Sequence, residues 1–283
     1  MDSVTKRLLE AGQHATAALH GLGDSVAGSE IDLLCTPSDG GYVSLWSGLQ
    51  ICAEAVGEAT VSLRGLRQVE AELPASIMTM TRLALVNANR VAYVLTPPDP
   101  SERDQRALKV LAADVESFEK AAKAAAGFTD LDTLRDAAAG MRTAVAEDRR
   151  NLGLQQKVSD TMISKDGPMD VGMIIAATFS QQDLPASELA ARDRLPQNTA
   201  EAVQWIWNVA SGFAHGYSWP RVADTLVDLW HNVSTAMFYA GAVMSLLHLA
   251  HQTSRQPRSF IGLVSGRGRR RCRCSAADSG IRV

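Results

Sequence analysis

The chain has 283 residues, of which 46% are hydrophobic, 21% charged and only 5% aromatic. These proportions exclude a fibre, a collagen, a small disulfide-stapled domain and a wholly disordered chain, and they supply enough apolar material for one sizeable core. The formal charge of −3 conceals a split: residues 255–283 hold eight Arg, no Lys and one Asp, a net +7, whereas residues 1–254 carry −10.

In chain order, the Ala-rich residues 4–20 predict a helix. A Gly, Ser, Asp and Pro-rich stretch at about 21–41 predicts a loop. From Ser44 towards Glu72, Leu45, Leu49, Ile51, Ala55, Val61 and Leu66 recur at three- and four-residue steps, the helical period, although Gly48, Gly57 and Gly65 argue against one unbroken helix. Pro74 suits the first turn of the next helix. Residues 75–95 are strongly apolar, and within them Arg82 and Arg90 lie eight residues apart, on one face. Pro97-Pro98-Asp99-Pro100 stops that helix. Ser101 with Asp104 predicts the cap of an amphipathic helix running to about 125. Thr129 with Asp132 predicts the cap of another, to about Arg150.

Residues 151–197 are less regular. Lys165-Asp166-Gly167-Pro168 reads as a turn before the apolar run Val171–Phe179. Pro185 and Pro196 bracket a short helix. Asn198 and Glu201 cap the next, which carries Trp205, Ile206 and Val209 into Ala-Ser-Gly-Phe-Ala-His-Gly. Trp219-Pro220 marks a corner, and a last long helix spans about 222–253. No β-branched alternation and no dinucleotide-binding glycine pattern occurs. The expectation is an all-α multi-helix bundle over residues 1–254 with a flexible basic tail at 255–283.

Trp230–Ser254 contains no Lys, Arg, Asp or Glu. Its length permits a membrane span, but Ser234, Thr235, Ser245 and His248 favour a buried core helix. Membrane association through residues 230–254 is the alternative. Cys35 and Cys52 stand singly, and Cys272 and Cys274 have no nearby His, so neither a disulfide framework, a metal site nor a cofactor is expected. The polar N-terminus shows no secretory signal, and the expected compartment is the reducing cytoplasm.

The most distinctive string is Trp205 to Trp219. Ser211 and His215 are four apart and face one cavity if the helix persists. A Ser nucleophile with a His base is chemically sound, yet no strained elbow surrounds Ser211 and no acid is placed to orient His215. His215 also suits a helix end, where it would hydrogen-bond the backbone. Trp205 and Trp219, with Arg82 and Arg90, are the candidate ligand-binding side chains.

The segment Ser211-Gly-Phe-Ala-His215-Gly216 resembles the C-terminal signature of HEPN-like helical proteins and related bacterial families. Arg82 through Leu95, followed by Thr96-Pro97-Pro98-Asp99-Pro100 and Glu102-Arg103, is similar to a helix of those families that ends before an Arg-rich one. Those families often place a Glu between the two arginines; Val86 stands there instead. The resemblance spans about 75–250. It implies an all-helical fold and an RNA- or nucleotide-interacting role in a toxin, defence or regulatory system; a second copy of the chain, as a homodimer, is a further candidate partner that the sequence leaves open. Catalytic members carry Arg, four to six residues, then His. Here the window before His215 holds Asn208, Val209 and Ala210 and no Arg, so efficient nuclease activity is not expected. Arg221, Arg82 or Arg90 would have to supply the missing charge. The catalytic candidates are thus Asn208, Ser211, His215 and Arg221.

Asp160, Asp166, Asp170 and Asp183 suggest a second class, a helical enzyme with a pocket for an apolar or isoprenoid-like substrate. The Asp-Asp-x-x-Asp run of such enzymes is absent, and Gly167-Pro168 separates Asp166 from Asp170. In the tail, Arg267, Arg269, Arg270, Arg271 and Arg273 offer charge for RNA or another phosphate-bearing partner. No aromatic follows Phe260, so base stacking is not expected there.

Overall fold

The computed structural model describes residues 22–24, 26–35, 44–68, 73–125, 159–179, 186–217 and 229–252, with isolated positions between 6 and 13 and between 136 and 150. Among these residues seven helices form and no strand does. They are α1 (Glu30–Cys35), α2 (Leu45–Gln68), α3 (Pro74–Leu95), α4 (Pro100–Ala125), α5 (Asp160–Phe179), α6 (Ala186–Ala214) and α7 (Leu229–Gln252). The fold is the all-α bundle that the helical periodicity predicts.

Helix α3 is the hub, touching α2, α4, α5, α6 and α7. Its sequence explains why. Ala84, Leu85, Ala88, Val91, Ala92 and Val94 are all fully buried, and the alanines let neighbouring helices approach closely. Pro74 occupies its first turn, where the missing N–H costs nothing. At its end the Thr96 N–H donates to the Ala92 carbonyl at 3.0 Å, and Pro97 and Pro98 prevent continuation. Helix α7 packs along α3 with Val233, Met237, Ala240, Val243, Met244 and Leu247 buried at helical spacing. Among the described residues α7 alone is long and apolar enough to cross a membrane, and 61% of its most apolar stretch is buried in the bundle. Trp46 of α2 stacks on His251 of α7, with ring centroids 5.4 Å apart.

Three local expectations need correction. Helix α1 lies inside the stretch read as a loop, where the Ser29 hydroxyl accepts the Asp32 N–H at 3.1 Å and so caps it. Its Glu30 pairs with the buried Arg103 of α4, which anchors the short helix. The cap of α4 is Asp99, whose carboxylate accepts the Ser101 N–H at 3.0 Å; Ser101 is already helical. Helix α2 runs unbroken through Gly48, Gly57 and Gly65.

The largest correction concerns proline. Pro168 lies inside α5, and Pro196 lies inside α6. Neither the turn at 165–168 nor the boundary at 196–198 exists, so Asn198 and Glu201 start no helix. An interior proline loses one hydrogen bond and crowds the preceding turn, but packing compensates. Gly167 has no Cβ to clash with the Pro168 ring, and it lies against the Asn89 carbonyl and the Tyr93 N–H of α3. Gly172 lies against the backbone of Leu195 and Pro196, which brings α5 and α6 into the tightest crossing of the bundle.

Asp166 and Asp170 therefore share one continuous helix, and Asp170 is committed to structure. Its carboxylate accepts from Arg106 of α4 at 2.8 Å and from the Thr96 hydroxyl at 3.0 Å. Arg106 also donates to Glu102 and to the Tyr93 carbonyl, and its guanidinium lies 4.7 Å from the centre of the Tyr93 ring. The cap expected at Thr129 and Asp132 lies outside the described residues, as do Pro185, Asp183, Trp219, Pro220, Arg221 and the tail at 255–283.

Candidate functional site

Helix α4 leaves α3 at the Pro97–Asp99 corner and packs on it less closely than α2 or α7 does. The space between them is a cleft of about 510 Å³, closed by the start of α5 and by α6. Arg82, Val86, Asn89 and Arg90 line it from α3, at the three- and four-residue steps of one helix face. Asp114 and Lys120 line it from α4, Ser159 from the residue before α5 and Ser164 from α5 itself, and Trp207 from α6.

Arg82 is half-buried. Its Nε donates to the Ser211 hydroxyl at 3.0 Å, and its guanidinium carbon stands 5.9 Å from the centre of the Trp207 ring. No carboxylate pairs with it among the described residues. Arg90, two turns along, forms an ion pair with Asp114. Lys120 pairs with Glu116 at 2.8 Å, and that contact raises the Lys120 amine above its ordinary pKa. The two pairs cancel, and Arg82 leaves the cleft with a local positive charge inside an acidic body.

Asn89 forms the floor. It is 1% exposed, and neither its amide nitrogen nor its amide oxygen has a hydrogen-bond partner among the described residues. Such an orphan costs about 1–3 kcal/mol in a folded protein. The thiol behind Arg90 and Asp114 is Cys52, held in an apolar wall with Leu45, Leu49 and Val110. Burial pushes its pKa up to about 11, with Arg90 opposing the rise and Asp114 adding to it.

A protonated thiol is a poor nucleophile. Cys52 should resist iodoacetamide at pH 8 in the folded protein and react once urea unfolds it, as mass spectrometry of the alkylated peptide will show. The raised pKa also fixes a pH trend. The unfolded chain releases the thiol proton near pH 9 and the folded chain near 11, so stability falls as pH climbs through that interval. Replacing Cys52 with Ala should flatten the fall. Tyr239, raised by burial and by the Asp170 charge, adds to the same loss above pH 10.

The structure brings Ser211, Arg82 and Arg90 to the cleft or its wall and places His215, Asn208 and Trp205 elsewhere; Trp219, Arg221 and the tail arginines lie outside the described residues. His215 is exposed at the end of α6, where its N–H donates to the Ser211 carbonyl at 3.0 Å. Gly216 follows with φ +70°, the left-handed conformation that ends helices and favours glycine. The His215 ring faces Tyr217 at 5.7 Å and does not line the cleft. Ser211 is held by Arg82. Asn208 is exposed and accepts from Gln204 at 3.4 Å. Trp205 is 47% exposed, and Trp207, two residues on, forms the aromatic wall. Trp207 and Ser211 are four apart, a spacing that already places them on one face. Asn89 and Lys120 carried no signal in the sequence beyond their positions on helical faces.

No cluster of three or more His, Cys, Asp or Glu side chains suited to a metal occurs among the described residues. No protein-family model matches the chain, and no curated protein or solved structure matches it either.

Proposed function

We propose that this protein is a HEPN-like helical protein that binds a nucleotide-type, phosphate-bearing ligand in the α3–α4–α5–α6 cleft without efficient nuclease chemistry of its own. The observation that carries this reading is Arg82: a half-buried cation, held in place by Ser211, with no carboxylate partner among the described residues. A guanidinium so placed suits a phosphate oxygen pair. The cleft volume falls in the range of small-ligand sites, and Trp207 offers a flat wall beside the charge. The first turn of α5, whose dipole favours anions, opens on the same space at Ser159. The −10 of residues 1–254 opposes a long polyanion far more than a single nucleotide. The exposed position of His215, outside the cleft that Arg82 lines, gives no pairing of proton carrier and phosphate-stabilising charge such as cleavage needs.

Calorimetric titration of the intact chain with adenosine, guanosine, uridine and cytidine 5′-monophosphates tests the proposal. At least one should bind, and Arg82→Ala should weaken it about tenfold or more, the value of a lost charge-assisted hydrogen bond. Arg82→Lys should retain part of the affinity. The basic tail is unchanged in these variants, so the difference belongs to the cleft. No binding by any of the four, or equal binding by Arg82→Ala, would sink the proposal.

A further inference from the structure

Asn89 carries the reading further. Its amide is buried at the floor of the cleft with both polar atoms unpaired. An apolar residue of similar size would fill the same space without an orphan. We infer that the cleft recognises a nucleobase, and that Asn89 reads the base edge while Arg82 holds the phosphate; this rests on the nucleotide reading above and names the part of the ligand that makes it specific.

The chemistry fits in three ways. An Asn side chain presents a donor and an acceptor side by side, and nucleobase edges present the complementary pair. A sugar phosphate without a base has no such edge and leaves the amide unpaired. A hydrocarbon substrate would bury the amide against apolar atoms and worsen the orphan. The spacing also fits. Asn89 lies seven residues beyond Arg82, about 10 Å along the helix axis. Arg90 paired with Asp114 sets the register of the antiparallel α4, and six residues further on Lys120 comes back towards the Arg82 end. The uncompensated charge of Arg82 therefore stands at one end of the cleft and the unpaired amide about two turns away from it, with Trp207 as a surface on which a base stacks. The amide atoms are sealed in the unliganded fold, so pairing involves a rotation of the Asn89 side chain into the cleft it already lines.

The experiment compares the four nucleoside 5′-monophosphates with ribose 5-phosphate and inorganic phosphate, on the intact protein and on Asn89→Leu and Asn89→Ala. At least one nucleotide should bind about tenfold tighter than ribose 5-phosphate. Both variants should erase that ratio while holding the ribose 5-phosphate affinity within about twofold. Asn89→Leu should melt no lower than the parent protein, because the orphan is gone. If ribose 5-phosphate binds as tightly as every nucleotide, base reading fails and the phosphate proposal stands. If the variants weaken ribose 5-phosphate and nucleotides equally, Asn89 only supports the fold and the inference is overturned. If nothing binds, both readings fall.

Discussion

Replacing Asp170 with Ala is expected to lower the stability of this protein by about 3 kcal/mol. The carboxylate sits where three helices meet: on α5, against Thr96 at the end of α3 and Arg106 of α4. Both side chains of the Asp170–Arg106 pair are only 14% exposed. Removing one member of such a pair costs more than the pair itself is worth, because the remaining charge stays buried without its counter-ion. Arg106 would keep its bonds to Glu102, which is 46% exposed and so compensates the buried guanidinium only in part. The Thr96 hydroxyl would keep its bond to the Ala92 carbonyl at 2.7 Å, so the loss falls mainly on Arg106. Urea denaturation at constant slope measures the effect. The double variant Arg106→Met with Asp170→Leu should recover at least half of the loss, since two apolar side chains leave no stranded charge. A single-variant loss under about 1 kcal/mol would show that the network is incidental. Affinity for the proposed nucleotide ligand should fall as well, because the same α4 carries Asp114 and Lys120 into the cleft.

Much of this architecture is written in local patterns. The apolar run 75–95 announces a buried helix, Pro74 its start and Pro97-Pro98 its end, and the eight-residue step from Arg82 to Arg90 announces that both share a face. What the patterns hide is tertiary. Pro168 and Pro196 carry a strong local signal for a break, and that signal loses to close packing through Gly167, next to Pro168, and Gly172, twenty-four residues before Pro196. Trp205 and Trp207 look alike in a string, yet two residues on a helix turn by about 200°, so one faces solvent and the other the cleft. Asn89 is hidden most deeply. One polar residue in an apolar helix reads as an ordinary core position, and only the three-dimensional environment reveals an amide with both atoms unpaired. His215 suits two readings in the string, a cavity shared with Ser211 and a helix end, and only the fold places it at the helix end.

The crossing that those prolines depend on yields the second large effect. Gly172→Val should destabilise the protein by about 3 kcal/mol. A Cβ at position 172 would lie 2.6 Å from the Pro196 Cα, 3.0 Å from the Leu195 carbonyl oxygen and 3.1 Å from the Thr199 hydroxyl. The first two are backbone atoms and cannot swing aside. The third is fixed by its bond to that same Leu195 carbonyl at 2.7 Å. Relief therefore requires α5 and α6 to separate along their crossing. Helix propensity pulls the other way, since Gly in a helix interior is about 1 kcal/mol worse than Ala. Gly172→Ala thus sets the two effects against each other, and the clash should still win. Gly65 supplies the control: it is exposed in α2, nothing lies within 4 Å of its would-be Cβ, and Gly65→Ala should stabilise by about 0.5–1 kcal/mol. Opposite signs for the two Gly→Ala changes in denaturant titrations would establish that close approach, not backbone freedom, holds glycine at 172. Equal signs would refute it. Because α5 brings Ser164 to the cleft and α6 brings Trp207, separating these helices also widens the site. Gly172→Ala should then weaken the proposed nucleotide binding without touching a single residue that lines the cleft.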